Sequence, residues 1–311
     1  MIIFDIVILL ILFGILGYAA DFIVENIKYL AKTLKIRLFA FGILLGIITT
    51  LPELSVGINA TLNKVGGLSF GNILGGVIVM LGLILGTSLI LNRKITTDGD
   101  LKKILPQLGI IIIPIILGLD GVISRFDGLI MIIAYFGLIY YLYKTQNQTA
   151  NKVTIAIDKN KIIKAIFFSI IGIVIVLLSS NWIVQVTLNL LQYLHLSEMA
   201  VGLLIFSIGT NLPEISITFT SWRKKTAELS LSHLLSSAFT NIFVLGILAS
   251  LYPIAITIGL SYFILGMFII ITLGIFAVFY YTEKKLDRNE GLALVICYAC
   301  FIIANIWVLG Q

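Results

Sequence analysis

The chain has 311 residues, 59% of them hydrophobic and 12% charged, with a mean hydropathy of +1.12, whereas soluble domains average about 45–50% apolar and about 25% charged. This excludes a water-soluble globular domain and identifies an integral membrane protein. The formal net charge of +6 reads as a topology signal, possible contact with anionic lipid included, and calls for no nucleic-acid partner.

Apolar segments near or above the roughly 20 residues that cross a bilayer as a helix recur at 2–27, 38–62, 67–91, 104–119, 126–143, 163–192, 199–221, 228–251, 253–281 and 291–309. The first, opening MIIFDIVILL, lacks a basic leader region and reads as a span rather than a cleaved signal. Of the 21 Lys and Arg residues, all but Lys64 and Arg125 fall in alternate connections, at 28–37, 93–103, 144–164, 223–225 and 284–288. The positive-inside rule makes that side cytoplasmic and places both termini outside a cell membrane. A missed or extra span would scramble so one-sided a distribution.

Residues 48–55, ITTLPELS, interrupt the second span, and an offset of 161 lays them on GTNLPEIS at 209–216. The register continues without a gap, Lys64 meeting Lys225 and Ser69 meeting Ser230. Five spans separate the copies, so the second enters the membrane from the opposite side. The expected fold class is all-α integral membrane, ten transmembrane helices in two inverted five-helix repeats. The first repeat would cover 1–143, a cytoplasmic linker 144–162 and the second repeat 163–311, with no room in the linker for a calcium-sensing domain. Inverted repeats with interrupted helices characterise secondary transporters, whose sites lie near the midplane where the repeats meet.

Of 15 Asp and Glu residues, Glu53 and Glu214 alone sit well inside a span. A carboxylate at the bilayer centre costs about 2.5–3.5 kcal/mol on insertion scales, so two such residues need compensation. The proline before each glutamate frees a backbone carbonyl one turn earlier. Thr49 and Thr50 in the first copy, and Thr210 and Asn211 in the second, add neutral oxygens. Carboxylate, carbonyl and hydroxyl oxygens suit hard cations such as Na⁺, Ca²⁺ or Mg²⁺. Paired structural glutamates are the bland alternative, and their duplication argues against it.

At these residues the chain resembles the cation/calcium exchanger superfamily, in its prokaryotic sodium/calcium exchanger branch. IITTLPE (47–53) and IGTNLPE (208–214) match the family's GTSLPE-like motif, whereas GNILGGVIVM (71–80) and SHLLSSAFTN (232–241) match its second motif in part. The resemblance implies a cation antiporter, not an enzyme, with Glu53 and Glu214 as central divalent-ion ligands. It implies further oxygens from Thr49, Thr50, Thr210, Asn211, Ser237 and Asn241. Two departures stand out: Gly76 replaces a serine, and Met80 replaces a polar ligand, so span 3 offers fewer oxygens than the family site. The family pattern implies about three Na⁺ for one Ca²⁺, and fewer oxygens would lower that number. His233 replaces an asparagine and is a candidate for proton coupling, a histidine hydrogen-bonded between helices being the alternative.

Na⁺-driven Ca²⁺ exchange by alternating access is the leading expectation. H⁺-coupled exchange of Ca²⁺ or Mg²⁺ is the alternative, and a transport-inactive scaffold or sensor a further one. No cofactor and no obligatory protein partner are expected, the partners being inorganic cations and the lipid bilayer. Asp21 and Glu25 in span 1, aligned with Asn181 and Gln185 in span 6, read as headgroup-level residues or as the lining of an access path. Cys297 and Cys300 read as apolar packing residues of span 10.

Overall fold

The computed structural model describes residues 2–33, 38–97, 99–145, 159–194, 197–223 and 227–309. Among these, nine helices are long and apolar enough to cross a membrane, and the bent pair Ile43–Thr49 and Leu51–Leu62 makes a tenth. Helices are what such sequences must form, because lipid supplies no partner for a backbone N–H or C=O. Most of the expected linker, like Lys225, lies outside the described residues.

The helices do not share burial equally. Spans 3 (Gly66–Asn92) and 8 (Leu231–Leu251) have 83% and 78% of their apolar windows enclosed, against 28% for spans 5 (Arg125–Thr145) and 6 (Lys161–Leu191). Spans 3 and 8, joined by span 7 (Glu198–Thr220) at 67%, therefore form the centre, and spans 5 and 6 present a lipid-facing side. Span 3 meets span 7 backbone to backbone: a Cβ added at Gly202 would lie 2.4 Å from the Leu68 carbonyl oxygen. Glycine is required at such an approach. At the start of span 3, the Gly67 N–H donates to Glu198 Oε2 at 3.2 Å.

Two hydrophobic clusters divide the molecule. One joins spans 3, 4, 5, 8, 9 and 10, with Leu54 and Ile58 of span 2 packed on it, and the other joins spans 1, 2 and 6 with Leu68 of span 3. Span 7 serves both, giving Met199 and Leu203 to the first and Val201, Phe206 and Ile217 to the second. Spans 1 and 6 run along each other over most of their length.

The inverted repeat is realised in contacts. A Cβ at Gly46 would lie 2.6 Å from Ser236 Oγ, and one at Gly75 would lie 3.0 Å from Ser207 Cβ. The 161-residue offset carries Gly46 onto Ser207 and Gly75 onto Ser236, so one contact is the mate of the other. Each pairs a serine with a glycine, which keeps the helices equally close on both sides of the pseudo-twofold.

Four short strands were not legible in the hydropathy. β1 (Lys94–Thr96), β2 (Val122–Ile123), β3 (Ile254–Ala255) and β4 (Lys285–Asp287) form two antiparallel clasps, β1 with β4 and β2 with β3. β3 corrects the expected start of span 9, whose helix begins at Leu260 rather than near 253. The stretch is apolar because Ile254 is fully buried opposite Ile123, and an apolar run without periodicity does not distinguish strand from helix. In span 10, Cys297 is buried beside Thr272 and Cys300 is exposed, both as free thiols.

Candidate functional site

The two TLPE/NLPE segments break their helices where the sequence places the prolines. Span 2 bends by 45° between Thr49 and Leu51, with Thr50 at φ −89° and ψ 7°. In span 7 the helix is interrupted at 210–211 and resumes at Leu212. Pro52 and Pro213 lack the N–H that would bond the carbonyls of Ile48 and Gly209. The two following helices thus start with Glu53 and Glu214 in their first turns, where a helix dipole favours negative charge.

Both glutamates are fully enclosed, at 1% and 0% exposure. Glu53 Oε2 and both carboxylate oxygens of Glu214 accept no hydrogen bond. The two carboxylates feel each other electrostatically, which brings the repeats' central acids into one site. Their neighbours are exchanged between repeats: the Thr210 hydroxyl lies beside Glu53, and the hydroxyls of Thr49 and Ser237 lie beside Glu214. Each acid is therefore framed by a threonine of the opposite copy.

The remaining expected residues fall around this pair. Thr49 Oγ1 is 3.0 Å from Ser237 Oγ, linking span 2 to span 8. Thr210 Oγ1 donates to Asn72 Oδ1 at 3.0 Å, linking span 7 to span 3. Thr50 turns its hydroxyl onto the Ile47 carbonyl at 3.0 Å. Asn211 Nδ2 donates to the Ser207 carbonyl at 2.8 Å, and Asn241 Nδ2 to the Ile73 carbonyl at 3.4 Å. The Oδ1 atoms of both asparagines are buried without a partner. Gly76 lies between these two amides, since a Cβ there would be 2.8 Å from Asn211 Nδ2 and 3.4 Å from Asn241 Nδ2. Met80 is fully buried in the widened turn Val79–Ile84, and His233 is buried in span 8.

Sequence reasoning assigned Asn72 no ion-binding part, yet it is the partner of Thr210. Its place opposite His233 in the repeat was the available signal. A second missed feature is a polar seam between spans 2 and 6, in which Ser55 Oγ bonds Ser180 Oγ, Asn59 Nδ2 donates to Ser180 Oγ at 3.0 Å, and Gln185 Nε2 donates to Asn63 Oδ1 at 3.2 Å. Asn181, by contrast, is exposed. Among the described residues no three His, Cys, Asp or Glu side chains converge, and the buried polar groups gathered around the two glutamates are hydroxyls and carboxamides.

Comparison with known proteins bears on this architecture. A sequence profile of the family described as sodium/calcium exchanger protein matches residues 4–144 and 164–307. An uncharacterized membrane protein of Methanocaldococcus jannaschii is 27% identical over 73% of this chain and 75% of its own length. The sodium/calcium exchanger MaX1 of Methanosarcina acetivorans is 22% identical over 93% of this chain and 95% of its own. A structure of the sodium-calcium exchanger NCX_Mj, soaked with Na⁺ and Sr²⁺, superposes with a TM-score of 0.69 at 22% identity, covering 97% of this chain and 99% of that one.

Proposed function

Because the chain belongs to the sodium/calcium exchanger protein family, a family of cation antiporters, we propose that it exchanges Ca²⁺ for Na⁺ through one cage centred on Glu53 and Glu214. The carrying observation is the pair of fully buried carboxylates, three of whose four oxygens lack a hydrogen-bond partner. Two fixed negative charges at membrane depth are unfavourable unless a cation joins them, and one divalent ion balances both.

The ligand set in this reading is Glu53 and Glu214 with oxygens from Thr49, Thr50, Thr210, Asn211, Ser237 and Asn241. Hydroxyl, carboxamide and carboxylate oxygens are the donors that Ca²⁺ and Na⁺ share, so the two ions compete for one site. Competition at a single site gives antiport when the site changes sides only while an ion occupies it. The basic connections put both termini outside, and residues 1–143 and 163–311 act as the two inverted halves. Glu53→Gln or Glu214→Gln abolishes exchange in this scheme while leaving insertion intact.

The test is Ca²⁺ movement into proteoliposomes under an outward Na⁺ gradient, repeated with an imposed pH gradient. Uptake driven by Na⁺ supports the reading. Uptake driven by the pH gradient alone replaces it with H⁺-coupled exchange, to which His233, buried at the repeat position of Asn72, would give a protonatable group. Movement of Ca²⁺ under neither gradient, with no stabilisation by Ca²⁺, assigns the protein to a transport-inactive role.

A further inference from the structure

The corner of the cage at Gly76 bears on how many monovalent ions replace one divalent ion, an inference that rests on the exchange reading above. The repeat mate of Gly76 is Ser237, whose hydroxyl lies 3.0 Å from that of Thr49 and beside Glu214. That side of the cage is lined by oxygen. The Gly76 side is different: the space a side chain would occupy is approached by Asn211 Nδ2 at 2.8 Å and Asn241 Nδ2 at 3.4 Å. The orientation of both amides is pinned, because each Nδ2 donates to a backbone carbonyl, of Ser207 and Ile73 respectively. Each NH₂ group carries a second hydrogen, so this corner presents donors, which repel a cation. One turn further on, the buried Met80 adds a thioether, a poor ligand for a hard ion.

Charge points the same way. Among the described residues the buried acids are Glu53, Glu214 and Asp5, and Asp5 lies in the first turn of span 1, far along the chain from either break. The fully buried carboxylates of the cage are thus two, with the half-buried Asp21 of span 1 acting on Glu214 from its edge. One Ca²⁺ neutralises the buried pair, and so do two monovalent cations. A third would leave an unbalanced positive charge in a low-dielectric interior, beside amide donors in place of a hydroxyl. We propose that the Asn211 amide, filling the space left by Gly76, closes one monovalent position, so that each cycle swaps two Na⁺ for one Ca²⁺ and moves no net charge.

The experiment measures the steady-state Ca²⁺ gradient in proteoliposomes of the full chain at set Na⁺ gradients, with the potential clamped by K⁺ and valinomycin. Electroneutral exchange makes the Ca²⁺ gradient follow the square of the Na⁺ gradient and leaves it unchanged by voltage. Three-for-one exchange follows the cube and shifts the attainable gradient by about 50-fold per roughly 100 mV; that result overturns the proposal while preserving Na⁺/Ca²⁺ exchange. Absence of any Na⁺-driven uptake overturns the parent reading and this one with it. The double variant Gly76→Ser/Asn211→Ser removes the amide and restores two hydroxyls, and it is expected to acquire voltage dependence. If it transports but stays electroneutral, the Asn211 amide is not what limits the count, and the assignment fails.

Discussion

Replacing Glu214 by glutamine removes one of the two buried charges and keeps the shape. Removing one partner of a buried charge pair typically costs about 2–5 kcal/mol of binding, which is roughly thirty-fold to several-thousand-fold in affinity at about 1.4 kcal/mol per tenfold. The structure argues against the low end, because neither Glu214 oxygen has another partner and the side chain has no exposure through which water could substitute. The assay is thermal unfolding in lipid nanodiscs with and without Ca²⁺. At a Ca²⁺ concentration about 100 times its dissociation constant, the wild type gains about 2.7 kcal/mol by mass action. The same concentration gives Glu214→Gln less than about 1 kcal/mol, since a thirty-fold loss leaves the ion only about threefold above its new constant. Without Ca²⁺ the variant should be at least as stable as the wild type, because a buried carboxylate costs more than a buried amide. A Glu214→Gln protein with the full wild-type Ca²⁺ shift would refute the placement of the ion between the repeats. An apo variant that unfolds early would instead assign Glu214 a structural role.

Gly202→Ala should destabilise the protein by about 1–3 kcal/mol or more through overpacking, because its Cβ would meet a backbone oxygen at 2.4 Å. Gly137→Ala, with open space around its Cβ, should change stability by no more than about 1 kcal/mol; equal melting shifts in the two would contradict the close approach of spans 3 and 7. With both native cysteines replaced, a disulfide between Ser55→Cys and Ser180→Cys should halt exchange and reductant should restore it, since it ties span 2 to span 6. A disulfide between Thr96→Cys and Lys285→Cys, Cα partners in the β1–β4 clasp, should leave exchange intact, and arrest there would show that the clasp opens during transport.

The ten spans and the repeat were legible because lipid leaves few options. A helix must be apolar for about 20 residues, and basic residues mark one side. Both signals are local, and both survive in a single sequence. The breaks at Thr50 and at 210–211 were legible too, since proline acts on its own helix. The partners were not. That Thr49 would face Glu214 and Thr210 would face Glu53 follows from inverted packing, which the 161-residue offset implies without showing which helix faces extend across the interface. Gly76 illustrates the limit: in sequence it reads as a lost ligand, whereas in the fold its missing side chain is the space into which Asn211 reaches. The strands escaped notice for another reason. Two or three residues carry no periodicity, and pairs such as Ile95 with Leu286 are joined only in three dimensions.

The clasps bear on which parts of the molecule move. β1 with β4 joins the connection between spans 3 and 4 to that between spans 9 and 10, and β2 with β3 joins the connection between spans 4 and 5 to that between spans 8 and 9. The repeat offset carries Lys94 onto Ala255 in β3 and Val122 onto Glu283, two residues before β4, so each clasp is the mate of the other and they close opposite ends of one block. That block is the larger hydrophobic cluster, and spans 1 and 6 belong to the other. Backbone ladders resist shear at a fixed register, because a slip of one residue turns every side chain over. The contact between spans 2 and 6 is built differently, from the hydroxyls of Ser55 and Ser180 and the amides of Asn59, Asn63 and Gln185. Ser55, Asn59 and Asn63 repeat every four residues along one helix face, so span 6 can exchange one polar partner for the next as it slides. Motion of span 6 therefore costs least along its polar contact with span 2, inside the smaller cluster. Glu53 lies on span 2, which borders span 6, and Glu214 on span 7, which packs on span 1, so under the proposed exchange sliding of spans 1 and 6 against a clasped block would uncover the two acids from one side and then the other without dismantling their surroundings.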